Sequence, residues 1–155
     1  MFSVLAPQPT TSANVLTNLA DVLYIDGVLK HNSSLDGSWV TRQTLLPDDV
    51  QVVAIQGVNR AGTAGIIASD SAGRLWTNFT WRCNNVLIDG WTEVGFDDSG
   101  WSFAVAKVLN GGATYGQMSS FSSFAFWIWT NFDSSGNPTD QTVYCRKPLG
   151  TLPEQ

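Results

Sequence analysis

The feature that most constrains this chain is its punctuation. Short β-rich runs are separated at close intervals by Gly, Pro, Asn, Asp and Ser, and no long amphipathic helical period lies between them. Residues Asp21 to Leu29 place two β-rich runs around Asp26-Gly27, the strongest short hairpin signal a sequence offers. Trp39 to Leu45 alternates as a strand that Pro47-Asp48-Asp49 ends. Val50 to Val58 is dense enough in β-branched residues to be a central strand. Ala64 to Ala68, Leu75 to Arg82, Phe124 to Thr130 and Thr142 to Arg146 read as further strands, and Phe2 to Ala6 as a first one. Asn14 to Ala20 and Trp101 to Val108 fit either a strand or a helical turn. The total is about eight short strands with turn chemistry between them, which indicates an antiparallel sandwich or barrel.

With 155 residues the chain is most simply one domain, here taken as residues 1–147 with a Pro-containing tail at 148–155. Hydrophobic residues at 43% exclude a disordered chain. Charged residues at 14% mean that Ser, Thr, Asn, Gln and Gly must supply the polar surface, a balance that suits extracellular β-proteins. The net charge of −5 and the scattered arginines (Arg42, Arg60, Arg74, Arg82, Arg146) leave no basic stripe for a phosphate backbone, so nucleic acid is not an expected partner. The longest apolar runs fall far short of the ~20 residues that span a bilayer, so membrane insertion is not expected. Met1 to Gln8 lacks the basic and extended apolar segments of a secretory leader. Cys83 and Cys145 are nevertheless an even pair, and Asn32-Ser33-Ser34 and Asn78-Phe79-Thr80 are glycosylation sequons. These point outside the cell and to a processed chain, an excised module or a recombinant start.

The stretch Trp76 to Trp101 gathers four of the seven tryptophans, Cys83 and the acidic turn Asp97-Asp98-Ser99-Gly100. A disulfide from Cys83 to Cys145 outweighs reactive thiols or metal ligation, because one His and two Cys make a poor zinc set. Closing such a loop of roughly 60 residues stabilises a fold by about 4 kcal/mol through loop-closure entropy. Neighbouring carboxylates on an extended chain point to opposite faces, so Asp97 and Asp98 suit an Asx-type turn positioning Trp101 better than acid–base work. A structural calcium held there with backbone carbonyls is the alternative, and no other cofactor is called for. No Gly-x-Ser-x-Gly elbow and no phosphate-cradling loop occurs. His31, the single histidine, reads as a solvent-facing loop residue beside the turn at Asn32, or as a ligand for a sugar hydroxyl. Trp127 and Trp129 alternate with Ile128 and are expected on one strand face. Most tryptophans belong in the core, with Trp39 and Trp91, each next to a turn, as the candidates for exposed stacking.

Taken together, Tyr24 and Gly27, Val52 to Gly57, Ala64 to Ile66, Trp81 to Cys83, Gly90-Trp91, Phe96 to Trp101, Trp127 to Trp129 and Val143 to Arg146 resemble the galactose-binding-like jelly-roll domains over most of residues 20–147. The resemblance implies a jelly-roll β-sandwich whose end loops bind glycans, with a structural calcium in some members and purely adhesive roles in others. It makes this chain a non-enzymatic, secreted, lectin-like module; no sugar contact carries over from the family, and the loop and turn-side residues His31, Asp36, Trp39, Arg60 and Trp91 are the candidate ligand contacts. The competing expectation is a self-associating structural subunit of an extracellular matrix, coat or filament, joined through exposed edge strands or proline-bearing terminal segments. A hydrolase has the least support, for want of an acid–base constellation.

Overall fold

A computed structural model of the chain describes residues 10–17, 20–32, 40–59, 62, 64–112 and 117–149. It is all-β. The strands are β1 (Thr10–Thr17), β2 (Ala20–Ile25), β3 (Val28–Asn32), β4 (Val40–Pro47), β5 (Val52–Val58), β6 (Ile66–Asp70), β7 (Arg82–Asn84), β8 (Ser102–Phe103), β9 (Val105–Leu109), β10 (Phe126–Trp129) and β11 (Thr142–Pro148). They form two antiparallel sheets, ordered β4-β1-β6-β10-β9 and β3-β2-β5-β11-β7-β8. The expected run Phe2 to Ala6 lies outside the described residues.

Asp26 and Gly27 carry the hairpin between β2 and β3. Both have positive φ, 50° and 81°, as a tight turn matching the twist of its strands requires. The Asp26 carboxylate also accepts from the Gln51 and Val52 N–H groups, which ties the turn to the start of β5. β5 is central, as its β-branched density predicts, between β2 and β11.

One row across the six-stranded sheet shows how alternation builds the core. Leu23, Ile55, Cys145 and Cys83 are successive register partners on β2, β5, β11 and β7, and all four point inward. They meet Leu46, Ile66, Ala68, Ile128 and Trp129 of the opposite sheet in a single cluster, which makes the molecule a sandwich. Cys83 and Cys145 are disulfide-bonded with Cα atoms 4.1 Å apart, joining adjacent strands of one sheet.

Part of each outer face is covered too. Ile67, Phe121, Ala125 and Trp127 pack over the five-stranded sheet. There Asn110, buried, donates to the carbonyls of Met118, Phe121 and Ser122 and accepts from the Met118 N–H, closing residues 117–122 over it. Over the six-stranded sheet, Trp91 and Trp101 pack on Ala54 and Tyr144, flanked by Tyr24 and Phe96. Covering both faces explains why every residue of β6 is buried.

Three expectations are corrected and one open reading is settled. Leu75 to Arg82 is not a strand. Trp76 makes an isolated bridge to Ser69, the Thr77 hydroxyl donates to the Phe126 carbonyl, and Asn78 Oδ1 accepts both the N–H and the hydroxyl of Thr80, instead of extending a ladder. Trp101 to Val108 is two strands in different sheets, the crossing made at buried Ala104, whose N–H donates to the Trp81 carbonyl. Trp127 and Trp129 do not share a face environment. The pairing of β10 with β9 shifts register between Trp127 and Ile128, so Trp127 packs in the outer cluster while Trp129 reaches the main core. Finally, the sandwich extends past residue 147. Pro148 ends β11, and Leu149 donates to the Gln51 carbonyl and packs on the core.

Candidate functional site

Among the described residues, one opening of the sandwich arises from a turn and a strand end. β6 finishes at Asp70, on the same inward-facing parity as Ile66 and Ala68. Its buried carboxylate accepts from the Arg74 and Leu75 N–H groups, which curls residues 70–75 into a turn that Gly73, at φ 74°, completes. The turn directs Leu75 into the core, half-exposes Arg74 and hands the chain to Trp76. Trp76 is 39% exposed, and its carbonyl accepts from the buried Trp81 indole N–H, which pins its backbone.

β11 supplies the opposite wall. Val143 and Cys145 face the core, so period-2 alternation puts Lys147 on the same inner face, one residue before the strand ends at Pro148. An ammonium cannot stay in the core, and the side chain runs outward to donate to the Thr80 hydroxyl at 3.0 Å. Burial lowers the Lys147 pKa from its ordinary value, with Asp98 partly opposing the shift. Thr80 in turn donates its hydroxyl to Asn78 Oδ1, which also accepts the Thr80 N–H. Arg74, Leu75, Trp76, Asn78, Thr80 and Lys147 thus line one cleft of about 210 Å³ at an end of the sandwich. Arg74 reaches back to the Pro47 carbonyl at 3.2 Å and to Asp48 at 3.8 Å, the latter an exposed and loose ion pair.

The residues singled out from sequence fall elsewhere. Asp36, Trp39 and Arg60 lie outside the described residues. His31 is half-buried within β3 rather than on a loop, because the hairpin continues past it to Asn32, where the exposed sequon asparagine ends the strand. Trp91 is not an exposed platform. It is 5% exposed, edge-on to Tyr24 and Tyr144 and stacked on Trp101, because the outer face of the sheet needs an apolar cover.

The acidic turn is structural in its contacts. Asp97 accepts from the Ser99 N–H, and hydrogen bonds from Ser99 lower its pKa. Asp98 instead pairs with Arg146, and its carbonyl accepts the Trp101 N–H, so the turn does position Trp101. The two carboxylates serve different partners, and no group of three or more His, Cys, Asp or Glu side chains able to hold a metal occurs among the described residues.

Sequence reasoning did not bring Arg74, Trp76, Thr80 and Lys147 together in one cleft, and it marked Asn78 only as a sequon. One signal was present: Lys147 stands in a core-facing register two residues after Cys145, where an ammonium is accommodated only if its side chain runs out of the core. Among the described residues no helix is long and apolar enough to cross a membrane, and this, with the disulfide, is compatible with a secreted protein. No family model, no curated protein and no solved structure matches the chain.

Proposed function

We propose that this chain is a non-enzymatic, extracellular glycan-binding module whose site is the cleft between Trp76 and Lys147. The observation that carries the reading is Trp76. A half-exposed indole beside an amide, a hydroxyl and two cations is the mixture a sugar ring uses: an apolar face to stack on and polar groups around its rim. The Trp76 backbone is fixed by Trp81 and by the bridge to Ser69, so little ordering entropy is lost when a ligand lands. A glycan array run with and without calcium tests the reading. Retention of at least one saccharide class, lost in Trp76→Ala, is the expected result. No retention of any saccharide under either condition sinks it.

A second reading, self-association as a structural subunit, is favoured by a separate observation. Val86, Leu87 and Ile88 follow β7 and are exposed, and β8 closes the order of that sheet with Phe103 55% exposed. Apolar side chains beside a sheet edge suit pairing between copies. Light scattering across a concentration series distinguishes this reading, and a monomer at high concentration counts against it.

A further inference from the structure

We infer that the cleft selects saccharides carrying an anionic substituent, a carboxylate or a sulfate, over neutral ones; this rests on the glycan-binding reading above and adds the ligand class. The rim of the cleft is rich in donors and poor in acceptors. The Lys147 ammonium has three N–H donors, and among the described residues its one protein acceptor is Thr80 Oγ1. Arg74 brings five N–H donors and engages one carbonyl and one loosely held carboxylate. Asn78 has its Oδ1 occupied by Thr80, so what it offers the cleft is its NH2. The Thr80 hydroxyl spends its proton on Asn78 and one lone pair on Lys147. The polar rim is therefore nearly all donor.

A neutral sugar hydroxyl both donates and accepts, and it finds few acceptors here. An anionic substituent only accepts, and it forms charge-assisted bonds with a guanidinium and an ammonium. The charge distribution of the chain agrees. Of only eight Lys and Arg residues in a protein of net charge −5, two line this one cleft. The ammonium is also partly desolvated, with its pKa held down by burial, so an arriving anion would restore a counter-charge that the protein leaves incomplete. Trp76 supplies the ring contact that separates an acidic saccharide from a bare anion.

The experiment compares equilibrium binding of matched oligosaccharides in neutral, sialylated or uronate-bearing, and sulfated forms, with inorganic sulfate as competitor. The protein is oxidised and made in a host that does not N-glycosylate, because a glycan on Asn78 would fill the cleft. The acidic forms are expected to bind at least tenfold more tightly than the neutral form, weakening as salt rises. Arg74→Gln and Lys147→Gln are each expected to reduce acidic binding tenfold or more, and Trp76→Ala to abolish it. Whichever acidic arm binds more tightly names the substituent. Equal, Trp76-dependent binding of neutral and acidic forms would overturn the ligand class and leave the module reading standing. Acidic binding indifferent to Arg74→Gln and to a folded Lys147→Gln, folding being checked by near-UV circular dichroism, would overturn the site. Sulfate alone displacing every ligand at equal concentration would reduce the site to a bare anion pocket. No saccharide binding at all would overturn both the inference and the reading beneath it.

Discussion

Arg146 and Asp98, 48 residues apart in sequence, form an ion pair beneath the aromatic cover of the six-stranded sheet. The guanidinium, 2% exposed, also donates to the carbonyls of Trp91, Glu93 and Phe96. One side chain next to Cys145 thus holds the whole segment from Trp91 to Asp98. The segment has no strand of its own, so the Trp91 and Phe96 carbonyls would otherwise face water or go unpaired. Phe96 adds its ring, 5.2 Å from the guanidinium carbon.

Because a buried charge left without its partner is costly, Asp98→Asn is expected to lower stability by about 3 kcal/mol, and Arg146→Ala by about 3–5 kcal/mol. Urea unfolding followed by tryptophan fluorescence measures both. A loss below about 1 kcal/mol for each would show that the segment is held by its aromatic packing alone.

Trp91→Ala separates cover from site. It removes a ring that touches Tyr24, Tyr144 and Trp101, so a stability loss of about 3–5 kcal/mol is expected. Trp76→Ala, at a half-exposed ring, should cost far less. If Trp76→Ala melts as early as Trp91→Ala, the exposed indole belongs to the framework and not to a site.

The disulfide spans 62 residues of sequence and is buried within one sheet. Its loss in Cys83→Ala/Cys145→Ala is expected to cost about 4 kcal/mol, mostly by freeing the unfolded chain. Thermal melting of wild type with and without reductant is the companion measurement. Identical midpoints for oxidised wild type and the double variant would contradict it.

Among the described glycines, Gly65 leaves the least room for a Cβ beside a core tryptophan. A Cβ built there would sit 2.8 Å from Trp127 Cε3, and that indole is fully buried and has nowhere to retreat. Gly65→Ala is expected to lose about 1–3 kcal/mol by overpacking. Gly100→Ala, with nothing within 4 Å of the added carbon, is the control expected to change little.

The lowered Lys147 pKa sets a pH dependence. When the folded value lies below the ordinary 10.5, the unfolded chain binds the proton more tightly. The group therefore penalises the fold at neutral pH, and the penalty fades as pH rises from the folded value to 10.5. The stability of wild type relative to Lys147→Met is expected to improve across that window in paired melts, and a constant difference would refute the linkage. Acidic saccharide binding should weaken over the same rise in pH, since the ammonium it needs is lost.

Local chemistry was legible from sequence wherever a short segment decides its own conformation. Asp26-Gly27 makes a hairpin because those two residues tolerate positive φ, and the β-branched run at Val52 makes a central strand because it fits a surface covered on both sides. Cys83 and Cys145 could be paired because no other cysteine competes. Asp97 makes its turn with a residue two positions away. These features are the all-β class, the disulfide and much of the strand order along the chain, and each rests on neighbours in sequence or on elimination.

Tertiary structure alone decided everything that depends on distant residues meeting. Trp91 looked like an exposed platform because Asp89-Gly90 precedes it, yet the apolar outer face of β5 and β11 draws it inward. Trp127 and Trp129 looked equivalent until a register shift against β9 separated them. The cleft joins residues 74–80 to Lys147, with Thr80 and Lys147 bonded across 67 positions. Alternation along β11 fixes which face Lys147 occupies. Only the packing of one sheet on the other determines that this face opens, at Lys147, beside Trp76.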